Sequence, residues 1–146
     1  MEQDDGRQGH RFIQVGMSLF LGALVVGVAV PFFRVPRLGL ATHLLALTQG
    51  LFLMILGLFW ARLRLGPGAR KTAFGMTLYG CLAPLLANFL AAVWGAGNVL
   101  LPMAAGAAHG SALQEGVIAV LLRSGGAVLI GASGLILWGL RLPRRT

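Results

Sequence analysis

Acidic side chains are scarce in this sequence. Four aspartates and glutamates stand against twelve lysines and arginines. Three of the four, Glu2, Asp4 and Asp5, precede the first apolar run, and Glu115 is the fourth. No apolar stretch carries the paired acids of a coupled small transporter, so that class is set aside. Cysteine is nearly absent. Cys81 stands alone, which excludes an intrachain disulfide, and no Cys-x-x-Cys-His run exists for covalent haem attachment. A secretory signal is not expected either, because Met1–Gln8 is acidic and the apolar run behind it is too long for an h-region. Charge as a whole is low, at 11% of residues against about 25% in an ordinary soluble domain.

Long apolar runs fill the space that charge leaves. They extend from about Phe12 to Phe33, Ala41 to Leu63, Thr72 to Gly97 and Gly116 to Leu140. Each meets the length of roughly 18–20 residues needed to cross a hydrocarbon core. Lipid offers backbone groups no partner, so the runs are expected as helices. The alternation of a membrane β-barrel is missing. The expected fold is an all-α integral membrane domain, residues 1–146, with four transmembrane helices in one bundle.

The net charge of +8 does not point to nucleic acid, because the basic residues cluster at helix ends. Arg7 and Arg11 precede the first helix. Arg62, Arg64, Arg70 and Lys71 fill the second loop, and Arg141, Arg144 and Arg145 fill the tail. The first loop holds Arg34 and Arg37, and the third holds no Lys or Arg. The positive-inside rule then places both termini and the second loop in the cytoplasm, with the protein in the cell (inner) membrane.

His43, Gln49 and Asn88 lie inside the apolar runs. A polar side chain in lipid needs a partner from another helix, a cofactor or a substrate. His43 suits a metal or haem through a neutral ring nitrogen, or a headgroup or neighbouring helix at the interface. A lone histidine is poor for zinc but suffices for haem, whose porphyrin supplies four nitrogens. Gln49 lies six residues on, so the two point about 120° apart. His43, Leu47, Gly50, Met54, Gly57 and Ala61 share one stripe, and Thr42, Ala46, Gln49, Leu53, Leu56 and Trp60 a neighbouring one. Gln49 and Asn88 suit either substrate orientation or interhelical hydrogen bonds worth about 0.6–2 kcal/mol.

Ala83, Ala87, Ala91 and Gly95 form a small-residue ridge on the third helix. Pro84 within it is expected to free the Gly80 carbonyl or kink the helix. Trp60 and Trp138 read as interfacial anchors, and Tyr79 as an ordinary packed residue. Arg123 has three readings. It snorkels outward, pairs with Glu115, or meets the carboxylate of a cofactor such as a haem propionate.

Two strings carry a family resemblance. His43-Leu44-Leu45-Ala46-Leu47-Thr48-Gln49-Gly50-Leu51-Phe52-Leu53, with Gly57-Leu58-Phe59-Trp60, resembles the second helix of hydroxylaminobenzene mutases, which group with styrene oxide isomerases. Tyr79-Gly80, followed by Leu90-Ala91-Ala92-Val93-Trp94-Gly95-Ala96-Gly97, resembles their third helix. The resemblance implies a homotrimer with non-covalent haem b between neighbouring subunits. It implies His43 as axial ligand of the haem iron and places Gln49 at the family's amide position. A family tyrosine falls on Asn88, an acid on Gly80 and an asparagine on Pro84. The implied substrates are small, apolar and aromatic, and reach the site from membrane lipid. The implied chemistry is redox-neutral, with ferric haem as Lewis acid: arylhydroxylamine to aminophenol, or aryl epoxide to aldehyde. Gln49 and Asn88 are the catalytic candidates, and His43 and Arg123 the cofactor-binding ones. The competing expectation is a non-catalytic four-helix scaffold that assembles through the alanine ridge.

Overall fold

The computed structural model describes residues 2–141, with side chains from residue 6 onward. Arg144 and Arg145 of the basic tail lie outside the described residues. The helices are α1 (Glu2–Ala29), α2 (Pro36–Phe59), α3 (Pro67–Trp94), the single-turn α4 (Pro102–Ala105) and α5 (Ala112–Gly139). Short 3-10 turns, Val30–Phe32 and Trp60–Arg62, extend α1 and α2. All four long helices are long and apolar enough to cross a membrane.

Helices begin several residues before the apolar runs do. Pro36, Pro67 and Pro102 each occupy the first turn of a helix, where proline's missing N–H costs nothing and its fixed φ favours the helical path. Ser111 starts α5 with a reciprocal capping box to Gln114. Gly95 ends α3 in the left-handed region at φ 70°, where a side chain would strain the backbone.

The four long helices form two antiparallel hairpins, α1 with α2 and α3 with α5, joined where α2 packs on α3. The first hairpin closes through glycine. A Cβ on Gly16 would lie 2.6 Å from the Gly50 carbonyl oxygen, and one on Gly57 would lie 2.6 Å from that of Gly9. The backbones touch, as small residues permit in lipid. The second hairpin uses the same device. A Cβ on Gly80 would meet Leu129 at 2.8 Å, and one on Gly125 would meet the Pro84 ring at 2.5 Å. The helix α3 runs unbroken through Pro84, whose ring packs on Gly125.

Two clusters fill the interior. At the end where α2 turns into α3, Phe12, Trp60 and Phe74 meet edge-on or tilted and pack with Leu53, Leu56 and Ala73. At the opposite end Leu38 and Ile118 pack with Ala87, Ala91 and Ala92. Several sequence expectations change here. Trp60 is not an interfacial anchor; it is fully buried and donates to Gln8 Oε1 at 2.9 Å. Trp138 is half exposed, as an anchor would be. The alanine ridge is buried within the chain, so it does not supply a free assembly surface. Arg70 belongs to α3 rather than a loop, and its guanidinium donates to the Leu63 carbonyl.

Candidate functional site

His43 sits in the second turn of α2, seven residues before Gly50 and fourteen before Gly57. On α1, Gly9, Gly16 and Ala23 follow the same spacing in the opposite direction. The register that sets Gly57 on Gly9 and Gly50 on Gly16 therefore sets His43 on Ala23. The imidazole Nδ1 lies 2.7 Å from the Ala23 carbonyl oxygen. A carbonyl only accepts, so Nδ1 donates, and in the neutral ring Nε2 is then the nitrogen with the lone pair. The ring lies against Gly27, where a Cβ would come within 2.8 Å of both Cε1 and Nδ1. His43 then lines a groove of about 490 Å³ with Leu24, Gly27, Val28, Val30, Pro31 and Leu40. The histidine is the sole polar side chain of that lining. A hydrogen-bonded imidazole is thus the one polar group in the wall of an apolar space.

Gln49 faces a different space. It lines a groove between α2, α3 and α5 with Leu45, Phe52, Cys81, Leu129 and Ser133. The side chain is only 8% exposed, and its Oε1 has no hydrogen-bond partner among the described residues. A buried orphan acceptor costs about 1–3 kcal/mol until a donor meets it. Asn88, equally buried, donates from Nδ2 to the Pro84 carbonyl one turn back at 3.0 Å. That bond ties Asn88 to its own helix, and Asn88 is not among the residues that line the groove of His43 or that of Gln49. The structure thus brings neither amide into the His43 groove within one chain.

Arg123 lies exposed on α5, also outside the His43 groove. Its pairing with Glu115 is overturned. The Glu115 carboxylate instead accepts backbone N–H groups from Gly97 (2.8 Å), Gly110 (3.1 Å), Asn98 and Val99 (both 3.3 Å). It ties the loop between α3 and α5 together. Tyr79 is not simply packed; it is 45% exposed and its hydroxyl lies 2.7 Å from Ser124 Oγ. Ser124 spends its own proton on the Val120 carbonyl, so Tyr79 donates. No group of three metal-ligating side chains occurs among the described residues.

Sequence reasoning missed Ala23 and Gly27. Main-chain acceptors leave no trace in side-chain chemistry. The paired seven-residue spacing of Gly9 and Gly16 with Gly50 and Gly57 was the available signal.

The sequence profile of the family described as styrene oxide isomerase matches residues 8–141. The chain belongs to the styrene oxide isomerase family. It is 46% identical over 137 residues to hydroxylaminobenzene mutase HabB of Ectopseudomonas oleovorans, covering 94% of this chain and 84% of that one. It is 43% identical over 109 residues to hydroxylaminobenzene mutase HabA of the same organism, covering 75% of this chain and 81% of the relative. No solved structure matches. Membership makes the protein an isomerase, and the scaffold expectation gives way to an enzyme.

Proposed function

We propose that this isomerase is a haem b-dependent membrane mutase that converts arylhydroxylamines to aminophenols. The observation that carries the reading is the Nδ1–H bond from His43 to Ala23 on a ring that lines an apolar groove, a bond that in the neutral ring leaves the Nε2 lone pair free for a metal. Metal-bound histidines characteristically donate their other nitrogen in this way. The groove fits a porphyrin's chemistry, being apolar apart from that one nitrogen. Ferric haem held by His43 would act as a Lewis acid, polarising a substrate oxygen without net electron transfer.

The rearrangement is an isomerisation. The N–O bond of the hydroxylamine breaks, a C–O bond forms on the ring, and one ring proton returns to a heteroatom. Nothing is oxidised overall. Gln49 Oε1 and Asn88 Oδ1 accept N–H or O–H protons of the guest and orient it. The apolar walls keep bulk water from the cationic ring that develops as the N–O bond opens. Because the His43 groove and the Gln49 groove lie on different sides of α2, one chain does not combine them. A homotrimer, with haem between neighbouring protomers, unites a histidine from one copy with amides from the next. Arg123, on the outside of α5, reaches a haem edge only from such a neighbour. In an inner-membrane setting, the basic residues at the Trp60 end favour both termini in the cytoplasm.

Two relatives carry mutase names, which favours an arylhydroxylamine over an aryl epoxide. The test is a spectrum and a product assay. Protein made with ample haem and purified in mild detergent is expected to show a Soret band, which His43→Ala abolishes. Phenylhydroxylamine is expected to yield aminophenol faster than styrene oxide yields aldehyde. A colourless wild type that still turns over phenylhydroxylamine would reject the haem reading and keep the isomerase.

A further inference from the structure

The helices α2 and α5 each pack on α3 but not closely on one another. A groove is left between them, and Phe52 divides it. One part holds Gln49. The other, of about 390 Å³, runs from Phe52 toward the end of α5. Leu56, Leu63 and Ile136, all buried, form its floor, and Ile55, Phe59 and Leu140, all exposed, form its rim. Every side chain that lines it is a hydrocarbon. From Phe52 to Leu63 the α2 wall rises by about 16 Å. That is the depth of one leaflet, half of a hydrocarbon core roughly 30 Å thick. The far end of the groove is basic. Leu63 and Leu140 line it there, and arginine flanks both: Arg62 and Arg64 beside the first, Arg141 beside the second. The Arg64 N–H donates to the Gly139 carbonyl at 2.8 Å, which pins the two chain segments together. The Arg62 guanidinium lies over the Phe59 ring, 5.4 Å from its centroid, so a rim residue holds it at the groove. All three arginines are exposed. Glu115, the one carboxylate among the described side chains, is held by loop amides at the opposite end of the bundle.

We propose that this groove binds an anionic phospholipid, with one acyl chain between α2 and α5 and the phosphate at Arg62, supported by Arg64 and Arg141. The seat is apolar over the depth of one leaflet and its mouth is cationic, as such a lipid requires. A guanidinium stacked on an aromatic face keeps its N–H edge free, and that edge pairs with two phosphate oxygens. Three arginines with no described carboxylate beside them favour a headgroup of net negative charge over a zwitterionic one. The site does not depend on the haem reading, because it lies beyond Phe52 and is lined by neither His43 nor Gln49.

The test varies headgroup, chain and groove. The full chain, purified in mild detergent, is titrated with long-chain phosphatidylglycerol and phosphatidylcholine, and bound lipid is read by native mass spectrometry. Wild type is expected to prefer phosphatidylglycerol by roughly fivefold or more, the scale of one basic side chain beside an anionic headgroup. Arg62→Gln is expected to lower phosphatidylglycerol affinity by about fivefold and to narrow the preference. Ile55→Trp, which fills the seat from its rim, is expected to weaken both lipids while circular dichroism keeps its helical signal. Lys71→Gln removes a cation outside the groove lining and is expected to keep the preference. A wild type that does not discriminate, or an Arg62→Gln variant that discriminates as well as wild type, overturns the proposal. An equal loss in Lys71→Gln overturns it too, since diffuse surface charge then explains the binding. If Ile55→Trp lowers the oligomer mass and spares lipid binding, a second copy of the chain fills the groove and the proposal fails. If short-chain phosphatidylglycerol binds as tightly as the long-chain lipid, the acyl chain is not in the groove and the proposal fails likewise.

Discussion

His43 and Ala23 meet across the α1–α2 hairpin, ring nitrogen to backbone carbonyl, at 2.7 Å. The bond fixes the tautomer of the histidine with a main-chain atom that no side-chain substitution at position 23 deletes. The orientation of the ring then depends on how closely the two helices approach, and on the gap that Gly27 leaves for it.

Gly27→Leu is expected to expel the ring from its seat. Even a Cβ there sits 2.8 Å from the imidazole, so the larger side chain removes the space altogether. Soret absorbance of purified protein should fall toward the His43→Ala level, while circular dichroism keeps its helical signal.

Gly50→Val is expected to part the hairpin. Its Cβ alone would lie 2.8 Å from the Gly16 carbonyl and 3.1 Å from the Phe20 nitrogen, and backbone does not yield as a side chain can. Overpacking of this kind costs about 1–3 kcal/mol. Thermal unfolding in detergent reads the loss, and a Gly16→Val variant should match it, since the contact is reciprocal.

Gly80→Asp restores the acid that the family resemblance expects at this position. It is expected to destabilise by itself, because a Cβ meets Leu129 Cβ at 2.8 Å. Leu129→Ala does not remove that atom; Leu129→Gly does, and relieves part of the clash, since the Leu129 Cα at 2.9 Å and N at 3.0 Å remain. The double variant should be more stable than the sum of the single losses, which a double-mutant cycle of melting temperatures measures.

Glu115→Ala is expected to release the loop between α3 and α5, because four N–H donors lose their acceptor together. Hydrogen exchange at Gly97, Asn98, Val99 and Gly110 should accelerate by about tenfold or more. Exchange within α2 should hold.

The element count and the divergence of His43 from Gln49 were legible in the sequence. Six residues of helix turn by about 240°, and the two side chains line separate grooves as that angle requires. Helix starts were misplaced for a physical reason. Apolar runs mark where hydropathy rises, whereas Pro36 and Pro67 start their helices five residues earlier than the runs at Ala41 and Thr72. Trp60 misled because an aromatic near a helix end reads as an anchor until Phe12 and Phe74 enclose it. Arg123 and Glu115 sit eight residues apart on one helix, about 12 Å of rise, well beyond the three- or four-residue spacing at which side chains meet. The loop amides captured the carboxylate instead, and such backbone competition has no signature in composition.

The mirrored heptads of α1 and α2 have a consequence for any attempt to transplant this histidine into another scaffold. Inserting or deleting a single residue between Gly16 and Ala23 would swing the carbonyl away from the ring by about 100°. The two helices can change length here only in step, so residues 9–57 behave as one cassette, to be moved whole.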